Sequence, residues 1–475
     1  MQPPPTRRPN LVFLMADQLG RNHVGYAGAS RARTPHLDAL SREGVDVANA
    51  VSTMPVCAAF RASLFTGKYP TTTGMVINEL RMNPDHECIG YVLGAAGYRQ
   101  GYIGKWHLWA NELGNHTDPS NSYIPPGRHR LGFDGHWAAY NFHHDYYDTY
   151  YHTDSPEKIP YPEGAYEPDA QTDMAIEFME TAAGGDEPFS LFVSYGTPHD
   201  PWSNDNVPAD YRRLFLEQDF PHPPNYEPEN DPYADGWGRI DPARRDDLEN
   251  WRRNYYAMTA NLDHNVGRVV DTLSRLGIED DTLLVFTSDH GEMFGAHGRR
   301  AKSIFYEEAA RVPMLVRWPG ALPAGRPTEA CLGTVDIMPT LLGLMDLPVP
   351  ADVEGMDLSA AMRGEDGPEP EAALLQNTGA CAIWRDGFEW RAARDKRYTY
   401  ATYRVDGTEL LFDNLEDPYQ MTDLSADPAH AAELTRLRDW MRSSMEGIED
   451  GFRPSSYYRD HFTDGNRVIL RGERG

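Results

Sequence analysis

Four short apolar runs constrain this chain more than anything else in it. They are LVFLMA at 11–16, FSLFVSY at 189–195, TLLVFTS at 282–288 and VPMLVRW at 312–318. Runs this continuous and this short suit strands buried on both faces of a parallel sheet. Helical patterns lie between them. TPHLDALSREG offers Thr34 as an N-cap, Pro35 in the first turn and Gly44 as the stop. Cys57 to Phe65 reads as helix ending near Gly67, and ECIGYVLGAAGY as another. Tyr255, Met258, Leu262, Val266, Val269, Val270 and Leu273 fall at helical spacing and mark one long amphipathic helix. VDVANAV and RQGYIGKWHL supply further strands. Strand and helix alternate, which predicts an α/β fold: a large, mostly parallel sheet sandwiched by helices.

The pattern changes near the C-terminus. PVPADVEGMDL to RGEDGPEPE is a Pro/Glu/Gly-rich linker. Beyond it come strand-like runs without intervening helices, then one helix in AHAAELTRLRDWMRSS. The expected division is a catalytic α/β domain over 1–365 and a C-terminal α+β subdomain over 375–475, with a small antiparallel sheet and a helix. Residues 111–166 read as a long ordered loop rich in aromatics, and residues 200–245 as an irregular insertion rich in Pro and Asp.

The 475 residues carry a formal charge of −28, which argues against nucleic acid as a partner. An anionic substrate would need a site that is locally basic against that field. The four cysteines, Cys57, Cys88, Cys331 and Cys381, show no paired spacing, so no disulfide framework is implied and a reducing compartment fits. LVFLMA is too short to span a membrane, and MQPPPTRRPN lacks the apolar core of a signal peptide. The expectation is a cytoplasmic protein with no membrane partner. A homo-oligomer is compatible with the sequence.

In open α/β sheets, ligands bind beyond the carboxyl ends of the strands. Asp17-Gln18, His199-Asp200 and Asp289-His290 each follow a strand directly, so all three are expected at one edge. Asp17, Gln18, Asp289 and His290 together offer oxygen donors and one imidazole. That set suits one divalent ion such as Ca²⁺, Mg²⁺ or Mn²⁺. Each Asp after a strand could equally cap a helix. Lys105 and His107, two apart in GYIGKWHL, suit an anionic oxygen and a proton transfer. Lys302 sits in a basic cluster with Arg299 and Arg300, which would offset the global charge locally. His199 could donate a proton to a leaving group.

In their order and spacing these clusters resemble a type I sulfatase of the alkaline phosphatase superfamily. The likeness runs through RPNLVFLMADQ, CAAFRASLFTGKYP, GYIGKWHL, TPHDPW, LVFTSDHGEMFGAHG and KSIFYEEAARVPMLVRWPG, to TVDIMPTLLGLM and LFDNLEDPYQMTDL. It implies that Cys57, opening a helix, is oxidised by a maturation enzyme to formylglycine, whose hydrated aldehyde is the nucleophile. A helix N-terminus favours a negative oxygen or sulfur there. Arg61, one turn on, would reach back to hold residue 57. Asp17, Gln18, Asp289 and His290 would hold the metal, Ca²⁺ first, with residue 57 beside it as a further ligand. Lys105 and Lys302 would stabilise charge on the sulfate oxygens. His199, with Lys302, would assist the leaving alcohol, and His107 would take the proton that lets the hemiacetal expel sulfate. The sequence departs from the family pattern Cys-x-Pro-Ser-Arg by Ala59 and Phe60. Gln18 replaces a common second Asp, and His290 fills a position often held by Asn.

The resemblance implies a small-molecule or saccharide sulfate ester as substrate. The alternative on the same scaffold is a phosphodiesterase or phosphonate monoester hydrolase, with unmodified Cys57 as nucleophile. A non-catalytic glycan-binding protein is a third reading. The stretch from Gly132 to His152 is expected to border the pocket, where Trp137, Tyr140, His143 and Tyr147 could stack on a ring or cage an ammonium. The same aromatics could instead pack the loop against the body.

Overall fold

A computed structural model describes residues 8–472. Ten strands precede residue 340: β1 (Asn10–Asp17), β2 (Val45–Val51), β3 (Arg99–Lys105), β4 (His136–Tyr140), β5 (Tyr150–Tyr151), β6 (Ile159–Pro160), β7 (Phe189–Pro198), β8 (Thr282–Ser288), β9 (Met314–Arg317) and β10 (Arg326–Gly333). Eight of them form one sheet in the order β10-β2-β9-β8-β1-β7-β3-β4, and β5 pairs with β6. The sheet is parallel except at β9, which runs antiparallel to both β2 and β8.

The continuous apolar runs become the central strands because both of their faces are covered. Every residue of β1, β7 and β8 is buried. Alternation along β1 divides the core. Leu11, Phe13 and Met15 join Phe60 and Leu64 on one face, while Val12, Leu14 and Ala16 join Tyr255 and Leu262 on the other. Burying each large apolar side chain contributes about 1.5–3 kcal/mol. The helix on the second face spans Leu248–Leu276 and ends on Gly277 at φ 67°. Its predicted stripe is buried apart from Val270, which is half-buried.

Two local expectations differ from what forms, and a third holds. Helix α1 (Pro35–Glu43) starts after Thr34, but the Thr34 side chain does not cap it. The Thr34 hydroxyl instead accepts from the Gly25 N–H at 2.8 Å. Asp263, reaching across from the long helix, accepts from the His36 and Leu37 N–H groups at 3.2 and 2.8 Å. Within the stretch read as a loop, His136–Tyr140 pairs with β3 as an edge strand. The 200–245 stretch holds only short helical turns.

Downstream, β11 (Ala373–Asn377), β12 (Trp390–Arg394), β13 (Tyr398–Tyr403) and β14 (Glu409–Asp413) form an antiparallel sheet in sequence order. One face packs on Leu437 and Met441 of the helix Ala431–Gly447. The other packs on Ile304, Phe305 and Tyr306, and the Trp390 indole N–H donates to the Ser303 carbonyl at 3.1 Å. The small sheet thereby supports the segment carrying Lys302. The last residues turn back onto the large sheet's core, where Ile469 packs and its N–H donates to the Arg81 carbonyl at 2.9 Å. Among the described residues no helix is long and apolar enough to cross a membrane.

Candidate active site

The strand order brings the predicted polar clusters together. β1 and β8 pair with Ala16 opposite Ser288, so Asp17 and Asp289 emerge side by side. β7 flanks β1 on the other side and delivers His199 just past Pro198. β3 follows, and Lys105 is its last residue. The close fit of β3 and β7 requires glycine at 104, which has φ 99° and where a Cβ would lie 2.1 Å from the Ser194 carbonyl oxygen.

Opposite this edge, helix α2 (Cys57–Thr66) begins at Cys57 and is buried throughout. Asn78 accepts from the Ala58 N–H at 3.0 Å, satisfying one of the first-turn donors. The Cys57 sulfur lies 2.8 Å from Lys302 Nζ, 3.2 Å from His290 Nε2 and 3.8 Å from Asp17 Oδ1. Burial first, and then the Asp17 carboxylate, push the Cys57 thiol up to about 11. The unconverted side chain is therefore a neutral thiol near pH 7, a weak nucleophile.

Ligand atoms of Asp17, Cys57, Asp289 and His290 all lie within 4.8 Å of one another. Asp289 Oδ2 is buried and has no hydrogen-bond partner among the described residues. Burial and the facing Asp17 raise the Asp289 carboxyl to about 6. Burial also opposes the Asp17 charge, yet Lys105, His199, Lys302 and Arg61 hold that carboxyl well below its usual range. Two carboxylates turned toward one buried point, with an imidazole pushed toward its neutral form by burial, fit a divalent cation. Gln18, at φ 68°, donates its amide N–H to Glu292 at 2.6 Å, which leaves Oε1 facing Lys302 at 3.4 Å.

Arg61 does not hold residue 57. Its guanidinium lies 3.3 Å from Asp17 and 3.7 Å from Asp289, and it donates to Ser194 Oγ at 2.6 Å and the Lys105 carbonyl at 2.9 Å. A turn of helix carries it past the thiol to the two carboxylates, which attract it more strongly than neutral sulfur. Lys105 Nζ donates to Asp17 Oδ2 at 2.6 Å and stands 4.8 Å from the Phe142 ring centroid. His107, at φ 56°, pairs through Nε2 with Glu79 at 3.0 Å and stacks on Phe142. His199 Nδ1 faces the Asp200 carbonyl at 2.9 Å, which makes Nδ1 the donor and leaves Nε2 to accept from Lys302 at 3.1 Å. Of the predicted basic cluster, Arg299 is buried against Asp231 at 2.7 Å, so Lys302 and Arg300 alone line the cavity above the site.

That cavity encloses about 360 Å³, and Phe142, His144, His116, Trp237 and Cys381 are among its walls. The four aromatic candidates lie elsewhere. Trp137 is in the core beside Tyr102, and Tyr140 gives its hydroxyl to buried Glu167 at 2.7 Å. His143 stacks on Tyr140, and Tyr147 packs on Tyr166. Burial of the rings in the body outweighed any stacking surface they could offer. Sequence reasoning missed Asn78, Glu79, Glu292 and Trp237. None of them stands in a spacing that signals chemistry.

The family profile described as Sulfatase matches residues 9–347, and that of the N-sulphoglucosamine sulphohydrolase C-terminal region matches 295–446. The chain belongs to the sulfatase family. The ulvan-active sulfatase of Formosa agariphila is 36% identical over 461 residues, covering 96% of this chain and 84% of that protein. The N-acetylglucosamine-6-O-sulfatase of Bacteroides thetaiotaomicron is 26% identical, covering 99% of this chain and 90% of that one. The solved structure of yidJ from Bacteroides fragilis superposes with TM-score 0.82 at 28% identity, covering 96% and 99% of the two chains. This sulfatase is accordingly a sulfuric ester hydrolase with an alkaline phosphatase-like fold. The family match decides for sulfate esters over the phosphodiester alternative.

Proposed function

We propose that this sulfatase cleaves a saccharide sulfate ester, with residue 57 as formylglycine and one divalent ion, Ca²⁺ in the first place, at Asp17, Gln18, Asp289 and His290. The placement of the Cys57 sulfur carries this reading: it opens a helix 2.8 Å from Lys302 and 3.2 Å from His290. The sulfur marks where a hydroxyl of the converted residue would sit. A divalent ion there would polarise the ester and acidify that hydroxyl.

The chain's own residues supply the rest. Asn78 keeps the helix end turned toward residue 57. Arg61 and Lys105 neutralise Asp17 and fix its carboxylate. Burial and Lys302 lower the His199 imidazole to about 4, so it is neutral near pH 7 and its Nε2 holds the Lys302 ammonium, which gives the proton to the departing alcohol oxygen. His107, oriented by Glu79, accepts the proton whose removal releases sulfate. Water and ester give alcohol and inorganic sulfate. The saccharide class rests on what the two named relatives act on.

Peptide mass spectrometry across residue 57 of protein from its native host, together with sulfate release from an aryl sulfate, tests the reading. The expected result is an aldehyde in place of the thiol. An intact thiol in fully active enzyme overturns it and returns the phosphodiester alternative, which parallel assays on a phosphodiester would reveal.

A further inference from the structure

A second cavity of about 360 Å³ adjoins the first, and Asp200 and Arg300 line both. They form the wall between the two spaces. Asp200 follows His199 directly, and its carbonyl fixes the imidazole that faces the departing alcohol. The second cavity therefore lies directly beyond the segment that carries His199.

Its walls have the chemistry that holds a sugar ring. Buried Trp251 forms an apolar floor, covered by the Arg244 guanidinium 4.7 Å and the Arg300 guanidinium 5.7 Å from its ring centroid. Asn204, Asn250 and Ser203 add short polar groups. The charges balance rather than accumulate: Arg244 pairs with Asp247 at 3.0 Å, and Arg300 with Asp200 at 3.7 Å. Planar hydrogen-bonding groups of both kinds, with their charges paired, fit a hydroxyl-rich ring better than a bare anion. The size also suits one unit, since small-molecule sites begin at about 300 Å³.

The loop around Trp237 couples to the same wall. The Arg300 N–H donates to the Gly238 carbonyl at 2.9 Å. Asp235 anchors that loop by accepting from the Gly238 N–H at 2.7 Å and from the Cys381 N–H at 2.6 Å. Trp237 itself is 42% exposed at the first cavity, an unusual position for an indole on a pinned loop.

We propose that the second cavity is a saccharide subsite, which holds the unit next to the sulfated one, across the Asp200–Arg300 wall from residue 57. The inference rests on the saccharide reading above and adds that the substrate is at least a disaccharide. Arg244 and Asn250 are specificity residues there and touch no reacting atom.

The test uses full-length, mature enzyme with Arg244→Ala and Asn250→Ala, both at partly exposed positions. Turnover of 4-nitrophenyl sulfate measures the unaltered chemistry. Competition is then measured with sulfated mono- and disaccharides prepared from ulvan and from polymers bearing N-acetylglucosamine 6-sulfate. The variants are expected to keep aryl sulfate turnover within about twofold. They are expected to need about tenfold more disaccharide for inhibition, with monosaccharide inhibition unchanged. Equal inhibition of variants and wild type by the disaccharides overturns the subsite, as does a wild type that prefers monosaccharides. Calorimetric binding of the same disaccharides reads the subsite without catalysis. Loss of aryl sulfate turnover in the wild type, with disaccharide binding intact and sensitive to Arg244→Ala, would fault the functional reading and leave the subsite standing.

Discussion

Lys302 Nζ stands 2.8 Å from the Cys57 sulfur and 3.1 Å from His199 Nε2, bridging the nucleophile's position and the leaving-group histidine. It is held there by backbone: Glu292 accepts from the Ala301 N–H at 2.7 Å, and Ser303 donates its N–H to the Pro55 carbonyl at 3.0 Å. In the proposed mechanism this one ammonium serves both charge stabilisation and proton supply. Lys302→Ala is expected to lower kcat on an aryl sulfate on the order of 10²–10³-fold, the scale for removing one preorganised donor. Its KM should change much less. A kcat within threefold of wild type would remove Lys302 from the chemistry.

Glu79 Oε1 pairs with His107 Nε2 at 3.0 Å, and the other carboxylate oxygen lies 3.7 Å from His116. The pairing orients the ring and leaves Nδ1, which has no partner among the described residues, as the nitrogen able to take a proton. Glu79→Gln keeps the shape and loses the charge. The expected effect is a fall in kcat on the order of 10²-fold with the protein's fold intact by circular dichroism. Burst kinetics should show residue 57 still reacting with ester while sulfate release slows. An unchanged burst-to-steady-state ratio would count against the assignment of His107 to the second step.

The centre of the main sheet was legible because β1, β7, β8 and β9 are fully buried, so their apolar runs carry no alternation and end abruptly where the chain leaves the sheet, whereas the edge strand β10 begins in exposed residues and carries no such run. Asp17, His199 and Asp289 stood out for the same reason, being the first polar residues past those ends. Other features depended on distant partners. The α1 cap comes from Asp263, more than two hundred residues away, so Thr34 looked like the cap and is not. β4 is a five-residue edge strand set among glycines, too short to show a period. The aromatic run at 132–152 could not be divided by composition into packed and pocket-lining rings. Tyr140 is sequestered by Glu167, while its neighbour Phe142 reaches the cavity. Asn78 and Glu79 reach the site from a turn, and turns impose no pattern that marks chemistry.

Glu292 tests the metal-site assignment without touching a ligand atom. It accepts the Gln18 amide N–H at 2.6 Å through one oxygen and the Ala301 and Phe294 N–H groups at 2.7 and 3.1 Å through the other. Removing it frees the Gln18 amide to rotate and loosens the Lys302 loop. Glu292→Gln is expected to weaken divalent-ion affinity about 10–100-fold, as loss of an orienting outer partner does. Chelator titration followed by Ca²⁺ or Mn²⁺ add-back, read by calorimetry and by Tm, measures it. Identical ion affinity in variant and wild type would separate Gln18 from the metal.

Asp263 makes a pH-dependent contribution that can be isolated from the site. Burial raises its carboxyl to about 7, even though it accepts from the Leu37 N–H at 2.8 Å. In the unfolded chain the group ionises near the usual value of about 3.9. The folded protein thus holds a proton that the unfolded chain releases over that interval. Stability from this group is complete below about pH 4 and is lost as pH rises through about 7. Asp263→Asn keeps one carbonyl oxygen for the α1 N-terminus and cannot ionise. The variant should be no more stable than wild type at pH 4.5. It should gain on wild type by about 2–4 kcal/mol between pH 4.5 and 8, because each tenfold difference in proton affinity between folded and unfolded chain is worth about 1.4 kcal/mol. Urea unfolding of both proteins at the two pH values gives the difference directly, since every other titrating group is shared and cancels. A stability gap that stays constant with pH would show that Asp263 is ionised in the folded protein, with the helix N-terminus holding the charge against its burial.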